Sequence, residues 1–583
     1  MLQIPNDRKR LLTFANDLVE QCRSSVGERT SYYRSLATMV ETGTDDAQTK
    51  SRTNLMYHHL RRTEAHLFSP IQLQFVIDFE REYPKPILER GSAVGRVLTR
   101  DWERNNTDRT FGQGVFEALK YGSCLLKQWV EEEGEEKKPV FRKKLVMPWQ
   151  FAVYKENDTD LNLQSAMVET LHLSMPQVWQ RICRLPDAKD LMRKVRANSS
   201  RGTTPDDPSN FLSNILSTNQ INTSGTIANG PSPGGVAVFS SNNTPIMTAK
   251  IDIDTVKLHE IWVKGPTDYI TIQLIEPDIL LMPYFSGDIM TRKTNALVPG
   301  AIGSGLHPYT VIQPNEQSGY FWGRSEIVDL IEPQNMISQT ANDARRLFGL
   351  QVDKYMTFSG VDGDIDELFD SMRSSGYANL GQNGKADDHT PKFPPETLPY
   401  MKSLIENFNM IGGFPSVLQG EGSSGVRADS HANTLLKTGS PRLRSMSLAV
   451  ERSCAQAADL TLSLKEIKDG SRYWTKADTM EDVEKTSFLL SDLPEDRRVA
   501  VDSHSSSPIF MDDHQQLIAM AAKMGWVGAE EGIKMLPFPN QELLIAKYRE
   551  REASKAKQLE KAMEQFPELG EKIAQKKFTS GKM

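Results

Sequence analysis

The chain of 583 residues is poor in cysteine: Cys22, Cys124, Cys183 and Cys454 are its whole complement. No two form a CxxC pair and no histidine stands at ligand spacing from them, which argues against a disulfide framework and against a structural zinc site. Lone cysteines of this kind read as small buried hydrophobes. Long apolar runs are missing too. No stretch approaches the ~18 consecutive apolar residues of a membrane span, and Met1–Arg10 carries charge where a secretory signal needs an apolar segment. Basic residues are not in surplus either: 69 Lys and Arg against 76 Asp and Glu leave a formal charge of -7. A protein that wraps nucleic acid neutralises phosphates with surplus Lys and Arg. Any contact with DNA is therefore expected to be local, geometric or transient. What remains is a soluble chain made in a reducing compartment. It is 38% hydrophobic and 25% charged, and long enough for about four units of ~150 residues with a sizeable core.

The pattern along the chain predicts an α+β fold. Leu11, Leu12, Phe14, Leu18, Val19 and Cys22 share one face of a helix over 7–25, a second helix covers 30–40, and two more fill 87–121. The period then changes to strand. Cys124–Val130 and Pro139–Val146 read as a β-hairpin around the acidic turn 131–136, and 148–154 as a further strand. Residues 198–249 are dense in Ser, Thr, Asn, Gly and Pro, and cannot offset ordering entropy by burial; they read as a flexible surface insertion. A second hairpin follows at 257–264 and 269–274, with short strands at 280–284 and 308–312.

From Gly323 the pattern is helical. Ser325 can cap a helix with Glu326 in its first turn. Ile327, Leu330, Ile331, Ile337, Ala341, Ala344, Leu347 and Phe348 form its apolar stripe. Pro333 either kinks that helix or marks where it starts. A small polar module spans 351–394. Thr397 is placed to cap a second helix, with Pro399 in its first turn and Gly412–Gly413 at its end. A loop from Phe414 to Val426 precedes a long helix over 428–468, with a kink or break at Gly439–Pro441. The charge-mixed C-terminal region, with 541–566 its longest segment, reads as helical.

Enzyme signatures are few. There is no GxxxxGK[ST] and no HExxH, and the GxSxG string 230–234 lies in the flexible insertion with Pro on both sides of Ser232, away from any strand-turn-helix setting. Gly420-Glu-Gly422-Ser-Ser-Gly425 is a GxGxxG string between an extended segment and a helix. A dinucleotide site also needs a returning strand and an acidic residue ~20 positions on; the chain instead stays helical. A mobile glycine loop is the other reading. No catalytic residue, cofactor or metal ligand is expected. The polar module is too small to bury a core. It is either stabilised by neighbouring copies in a ring or the tip of a helical hairpin.

Three segments carry a resemblance. Tyr320-Phe-Trp-Gly-Arg-Ser-Glu326, continuing through Gln334 and Asn342-Asp343, resembles the region that opens the first stem helix of tailed-bacteriophage portal proteins. Phe414-Pro-Ser-Val-Leu-Gln-Gly-Glu-Gly-Ser-Ser-Gly-Val-Arg427 is similar to their tunnel loop and the start of the helix behind it. Tyr121-Gly-Ser-Cys124, Val146-Met-Pro148 and Phe151-Ala-Val-Tyr154 are similar to the N-terminal part of their wing. The resemblance implies a structural, non-enzymatic subunit of a ring, usually of twelve copies, at one capsid vertex. By position it places a wing at 1–322, stem helices at 323–350 and 395–411, and a clip at 351–394. The tunnel loop falls at 412–427, the long kinked helix and wing return at 428–510, and a helical crown at 511–583. The implied partners are double-stranded DNA in the channel, the terminase large subunit, major capsid and scaffolding proteins, and tail adaptors. The implied place is the virion, after synthesis in host cytoplasm.

Within that scheme Gln419, Gly420, Gly422, Ser423, Ser424, Gly425 and Arg427 are the candidate DNA-facing residues of the loop, with the glycines allowing it to move. Arg345, Arg346, Lys354, Lys385, Lys392 and Lys402 are the basic candidates along stem and clip; solvated surface and ion pairs between subunits are their other reading. Ile327, Leu330, Ile337, Leu347, Leu404, Ile405 and Phe408 are the expected packing residues of the stem. The competing functions are a dinucleotide-binding enzyme using 420–425 and a virion adaptor without DNA passage.

Overall fold

The computed structural model describes residues 2–43, 53–70, 73–183, 187–197, 255–280, 307–352, 394–414, 441–468 and 487–501, with breaks of one to four residues. It also describes short pieces at 238–239, 245–246, 356–359, 385–388 and 472–474, and scattered positions in 364–371 and 518–554. The fold is α+β, and every strand pairing among the described residues is antiparallel.

Helices α1 (Arg8–Arg23), α2 (Val26–Thr42) and α3 (Met56–Leu67) open the chain, followed by β1 (Phe75–Phe79), α4 (Lys85–Arg104) and α5 (Thr107–Tyr121). Two of these, α3 and β1, have no counterpart in the sequence pattern. Next come β2 (Cys124–Glu133) and β3 (Lys138–Val146), the expected hairpin, and β4 (Phe151–Val153), shorter than expected because residues 148–150 turn. β5 (Ala166–Ser174), α6 (Met175–Ile182) and α7 (Ala188–Ala197) follow. Ser174 and Gln177 form a capping box at the start of α6, whose Pro176 costs little in the first turn. Most of 198–249 lies outside the described residues; within it β6 (Val238–Phe239) pairs with β7 (Pro245–Ile246).

The main sheet has the order β10-β9-β8-β5-β4, with β8 (Thr255–Lys264), β9 (Tyr269–Ile275) and β10 (Ile279–Leu280) completing it. Alternation along its strands decides what each face packs against. Ala166, Val168, Ile261, Val263 and Ile272 meet Leu11, Ala15, Leu18 and Cys22 of α1. Met167 and Trp262, one residue out of phase, join a second cluster with Phe151, Tyr309, Phe321 and Trp322. The β2–β3 hairpin belongs to a separate sheet, closed on its other edge by β11 (Tyr309–Ile312).

The helix after Gly323 begins later than its sequence suggests. A short 3-10 turn, Val328–Leu330, precedes α8 (Ile331–Val352), so Pro333 sits in the first turn and causes no kink. Ser325 does not cap it; its hydroxyl donates to the Lys120 carbonyl at 2.6 Å. β12 (Met356–Ser359) and β13 (Lys385–Asp388) pair as a two-stranded ribbon, and α9 (Thr397–Ile411) returns. Thr397 is already inside α9; the preceding residue, Glu396, occupies the cap position without a side-chain bond.

The long helix α10 (Pro441–Lys468) is the spine of the molecule. Leu443, Met446, Val450, Cys454 and Ala457 enter the largest core cluster, with residues of α2 to α5, while Leu460 and Leu464 enter the cluster between the sheets. Residues 428–440, expected to continue it backwards, lie outside the described residues. β14 (Arg472–Trp474), β15 (Ser487–Leu489) and β16 (Arg497–Val501) are the last strands among the described residues, β16 pairing with β1 in register Phe75–Val501. Of the expected C-terminal helix 541–566, the described positions between 545 and 554 are helical.

Candidate functional site

The α8–β12–β13–α9 excursion and the node at its base form the candidate site. α8 and α9 pack against each other. Near the base their contact is apolar: Ile327, Leu330, Ile337, Leu404 and Phe408 are buried, as expected, and Ile405 packs partly buried on the same cluster. Further out the stripe fails. Ala341, Ala344 and Leu347 are only half-buried. Phe348 is 55% exposed, and Leu398 at the start of α9 is 67% exposed.

The base is held by polar groups buried among those apolar ones. The Glu326 carboxylate is fully buried and accepts from Asn315 Nδ2 at 2.8 Å and Arg442 Nη2 at 2.9 Å, with His59 Nε2 at 3.4 Å. Arg442 also donates Nη1 to the Ile411 carbonyl at 3.1 Å, satisfying one of the orphan acceptors at the end of α9. The His59 ring stands edge-on to Phe408 and Phe414. It lies so close to Gly412 that a Cβ there would meet its Cε1 at 2.5 Å. Gln334, buried in α8, donates to Thr53 O at 2.7 Å and to Ser338 Oγ at 2.9 Å, and accepts from Leu55 N at 3.1 Å. Ser338 donates in turn to Gly43 O. The chain on either side of 44–52 is thereby tied to α8.

A second contact fixes where the excursion leaves the body. The Gly122 and Gly323 backbones press together: a Cβ on Gly122 would meet Gly323 O at 2.0 Å, and one on Gly323 would meet Gly122 O at 2.3 Å. Gly122 also has φ +93°, a conformation that disfavours any side chain.

The basic candidates are solvated where they are described. Arg345 and Arg346 are exposed on α8 and Lys385 on β13. Lys402 is exposed on α9 and lies 3.8 Å from Glu406 of the same helix. α8 holds Glu332 and Asp343 against Arg345 and Arg346, and α9 holds Glu406 against Lys402, so each helix is neutral. Lys354, Lys392 and the loop residues Gln419, Gly420, Gly422, Ser423, Ser424, Gly425 and Arg427 lie outside the described residues, as does the whole GxGxxG string. The residues that flank 415–440 are placed: Phe414 is fully buried against His59, and Arg442 is bonded as above. Both flanks therefore meet at the Glu326 node. The sequence pattern did not single out His59, Asn315 or Arg442, because their pairing spans distant parts of the chain.

Two other polar sites lie in the body. Lys127 Nζ bridges Glu169 at 2.6 Å and Glu260 at 2.7 Å, and Tyr309 donates to Glu169 at 2.8 Å. Burial alone would lower the Lys127 pKa; the two carboxylates outweigh it and raise it. Burial alone would raise Glu169; Lys127 and Lys144 hold it lowered. An open cleft of about 720 Å³ lies between residues 313–320 and α10, lined by Asn162, His307, Gln313, Arg452, Gln456 and Asp459 among others. Among the described residues, no group of three His, Cys, Asp or Glu is arranged to hold a metal ion, and no helix is long and apolar enough to cross a membrane.

No protein-family model matches the chain, and no curated protein matches its sequence. Among solved structures it is similar to a chain of the neck of the native GTA particle, computed with C12 symmetry. The identity is 10% and the TM-score 0.35, over 87% of this chain and 94% of that one. A likeness of that degree decides neither fold nor function.

Proposed function

We propose that the chain is a portal subunit: one copy of a ring at a capsid vertex, through which double-stranded DNA is packaged and later ejected. One observation carries this reading. A helical hairpin built around a two-stranded tip is fixed at its base yet leaves Phe348 and Leu398 exposed further out. Large apolar groups on a rigid element find burial when copies assemble side by side. The order of elements supports it: an α+β body, a helix out, a small ribbon, a helix back, a glycine-rich stretch and a long core helix.

In this reading α8 and α9 are the stem, the ribbon and its flanks are the clip that meets the terminase large subunit and then tail adaptors, and the C-terminal region is the crown. Capsid and scaffolding proteins surround the ring, which acts within the virion as a conduit and performs no chemistry. The neutral charge of both stem helices suits a channel in which DNA must slide, since net phosphate binding would retard it. Each charged side chain becomes a collar of one sign around the axis, and acidic and basic collars balance along the stem. In this reading the loop 412–427 faces the DNA; Phe414 and Arg442, which flank 415–440, are anchored at the Glu326 node.

Native mass spectrometry with negative-stain class averages of the purified protein tests this. A ring with an axial hole of duplex width is expected; a monomer or small dimer overturns it. A ring that fails to restore packaging to capsids lacking the protein would make the chain an adaptor without DNA passage.

A further inference from the structure

We propose that α4 carries a nucleic-acid surface of its own, separate from the stem: Arg96, Arg100 and Arg104, continued by Arg109 at the start of α5, grip the phosphate backbone of duplex DNA. This goes beyond the conduit reading and does not depend on it.

The inner face of α4 is locked. Ala93, Val94, Leu98 and Trp102 are buried, and a Cβ on Gly95 would meet Phe75 O at 2.4 Å, so the helix lies directly on β1. The outer face is therefore a rigid platform. Arg96, Arg100 and Arg104 are all exposed on it and recur every fourth residue, about one helical turn apart. They span about 12 Å of axis at ~1.5 Å per residue. Duplex DNA presents a charge about every 3.4 Å of axis along each strand, so an arginine about every 6 Å can meet phosphates of one strand. Arginine forks match phosphate oxygens in pairs.

The local charge balance opposes that of the chain. Residues 90–109 hold five arginines (90, 96, 100, 104, 109) against Asp101, Glu103 and Asp108, a net of +2 in a chain of net -7. Lys465 of α10 already occupies Asp101. Lys143 adds a further cation at the corner between the helices, bonding Thr107 Oγ1 at 3.0 Å and the Asn105 carbonyl. Glu103 is the one exposed carboxylate in this stretch. A protein-binding surface would be expected to offer apolar anchors at its centre. On α4 and α5 one large apolar side chain, Leu88, is exposed; it lies about two turns before Arg96, and the stretch from Arg96 to Arg109 exposes none. A polar, cationic, rigid surface fits a nucleic-acid backbone.

The test is fluorescence anisotropy of a labelled random-sequence duplex with the full-length protein, titrated between ~50 and ~200 mM salt. The R96Q/R100Q/R104Q variant should bind at least about tenfold more weakly at the low salt, with a log–log salt slope smaller by about 2.7. The corresponding triple Lys variant should keep the slope, and E103Q should bind about twofold more tightly. Far-UV circular dichroism identical to wild type confirms that the variants fold. Gln-variant binding equal to wild type, or no salt-dependent binding by wild type, overturns the proposal. So does displacement of the duplex by polyglutamate at equal charge, which marks a site for an acidic protein. An R345Q/R346Q/K402Q variant separates the two surfaces. Loss of binding there alone removes the α4 site and leaves the conduit standing. Loss in the α4 variant, in a protein that forms no ring, supports the α4 site and removes the conduit.

Discussion

Arg442 and Glu326 form a 2.9 Å ion pair between the first turn of α10 and the segment leading into α8. The carboxylate is wholly buried and the guanidinium half-exposed, so the pair lies at the boundary of the core. Because Arg442 also bonds the last carbonyl turn of α9, one side chain joins α10 and α9 to the segment that leads into α8. It is the point at which the hairpin's orientation is set against the spine.

Replacing Arg442 by Met leaves Glu326 buried with fewer donors. Stability should fall by about 2 kcal/mol, the scale of a hydrogen bond to a charged group. The urea midpoint should drop with the slope unchanged. Glu326→Gln should cost less, because its amide can still accept from Asn315. The double variant should lose less than the sum, since the two residues share one interaction.

Gly122→Ala and Gly319→Ala form a matched pair. Both positions have positive φ, but a methyl group at position 122 would collide with Gly323 O, whereas nothing lies within 4 Å of a Cβ on Gly319. Gly319→Ala should cost about 1 kcal/mol of backbone strain. Gly122→Ala should cost several-fold more or prevent soluble expression. Thermal melts distinguish them, and equal losses would show that the close approach does not matter.

Phe348→Ser with Leu398→Ser should leave the melting temperature of the isolated subunit nearly unchanged, because both side chains are exposed. Surface substitutions of this kind alter stability by about 0.5 kcal/mol or less. Native mass spectrometry should show the population shifted from ring to monomer. Unchanged assembly would make this face simply solvated.

The Lys127 cluster predicts a pH dependence. Lys127 has a raised pKa, so its contribution is present below its unfolded value and is lost only as pH rises through the folded one. Glu169 has a lowered pKa, so its contribution is present above the unfolded carboxylate value and is lost as pH falls through the folded one. Lys127→Met leaves Glu260 and Glu169 buried with Lys144, 3.6 Å from Glu169, as the remaining cation, and should destabilise by about 3 kcal/mol at neutral pH. That deficit should shrink below about pH 5, where carboxylates protonate. Denaturation curves at about pH 7.5 and about pH 4.5 read the difference.

His307 gives a second dependence. Its Nδ1 accepts from Tyr309 N at 3.3 Å and its Nε2 faces Asn162 Oδ1 at 3.1 Å, an arrangement that suits the neutral ring. Burial lowers its pKa to about 4. Its contribution is therefore present above the unfolded value and is lost as pH falls toward the folded one. His307→Gln should flatten the decline in stability across that window, measured by denaturation at stepped pH.

Local pattern made much of the fold legible. The helix over 7–25, the pair over 87–121, both hairpins and the returning helix from 397 follow from periodicities of 3.6 and 2 and from the glycines and prolines between them. Besides α3 and β1, which the pattern did not show, the departures concern caps and stripes. Ser325 and Thr397 have the chemistry of helix caps, yet Ser325 bonds the Lys120 carbonyl across the chain, and α9 starts from Glu396. The stripe through Phe348 has helical spacing, and its outer part is half-buried or exposed. A cap or a stripe states what a segment is able to do; a competing partner elsewhere in the chain decides whether it does so.

The sequence by itself determined the α+β class, the hairpin interrupted by a polar module and the modest acidity, because each depends on composition or on residues within a few turns of one another. Only the tertiary structure decided that Glu326, His59, Asn315 and Arg442 meet at one node, that Gly122 faces Gly323, and that three arginines of α4 share a ridge over a face locked on β1. Those relationships are set by close packing of elements far apart in sequence, where burial turns an ordinary charged or glycine residue into one that has few alternatives.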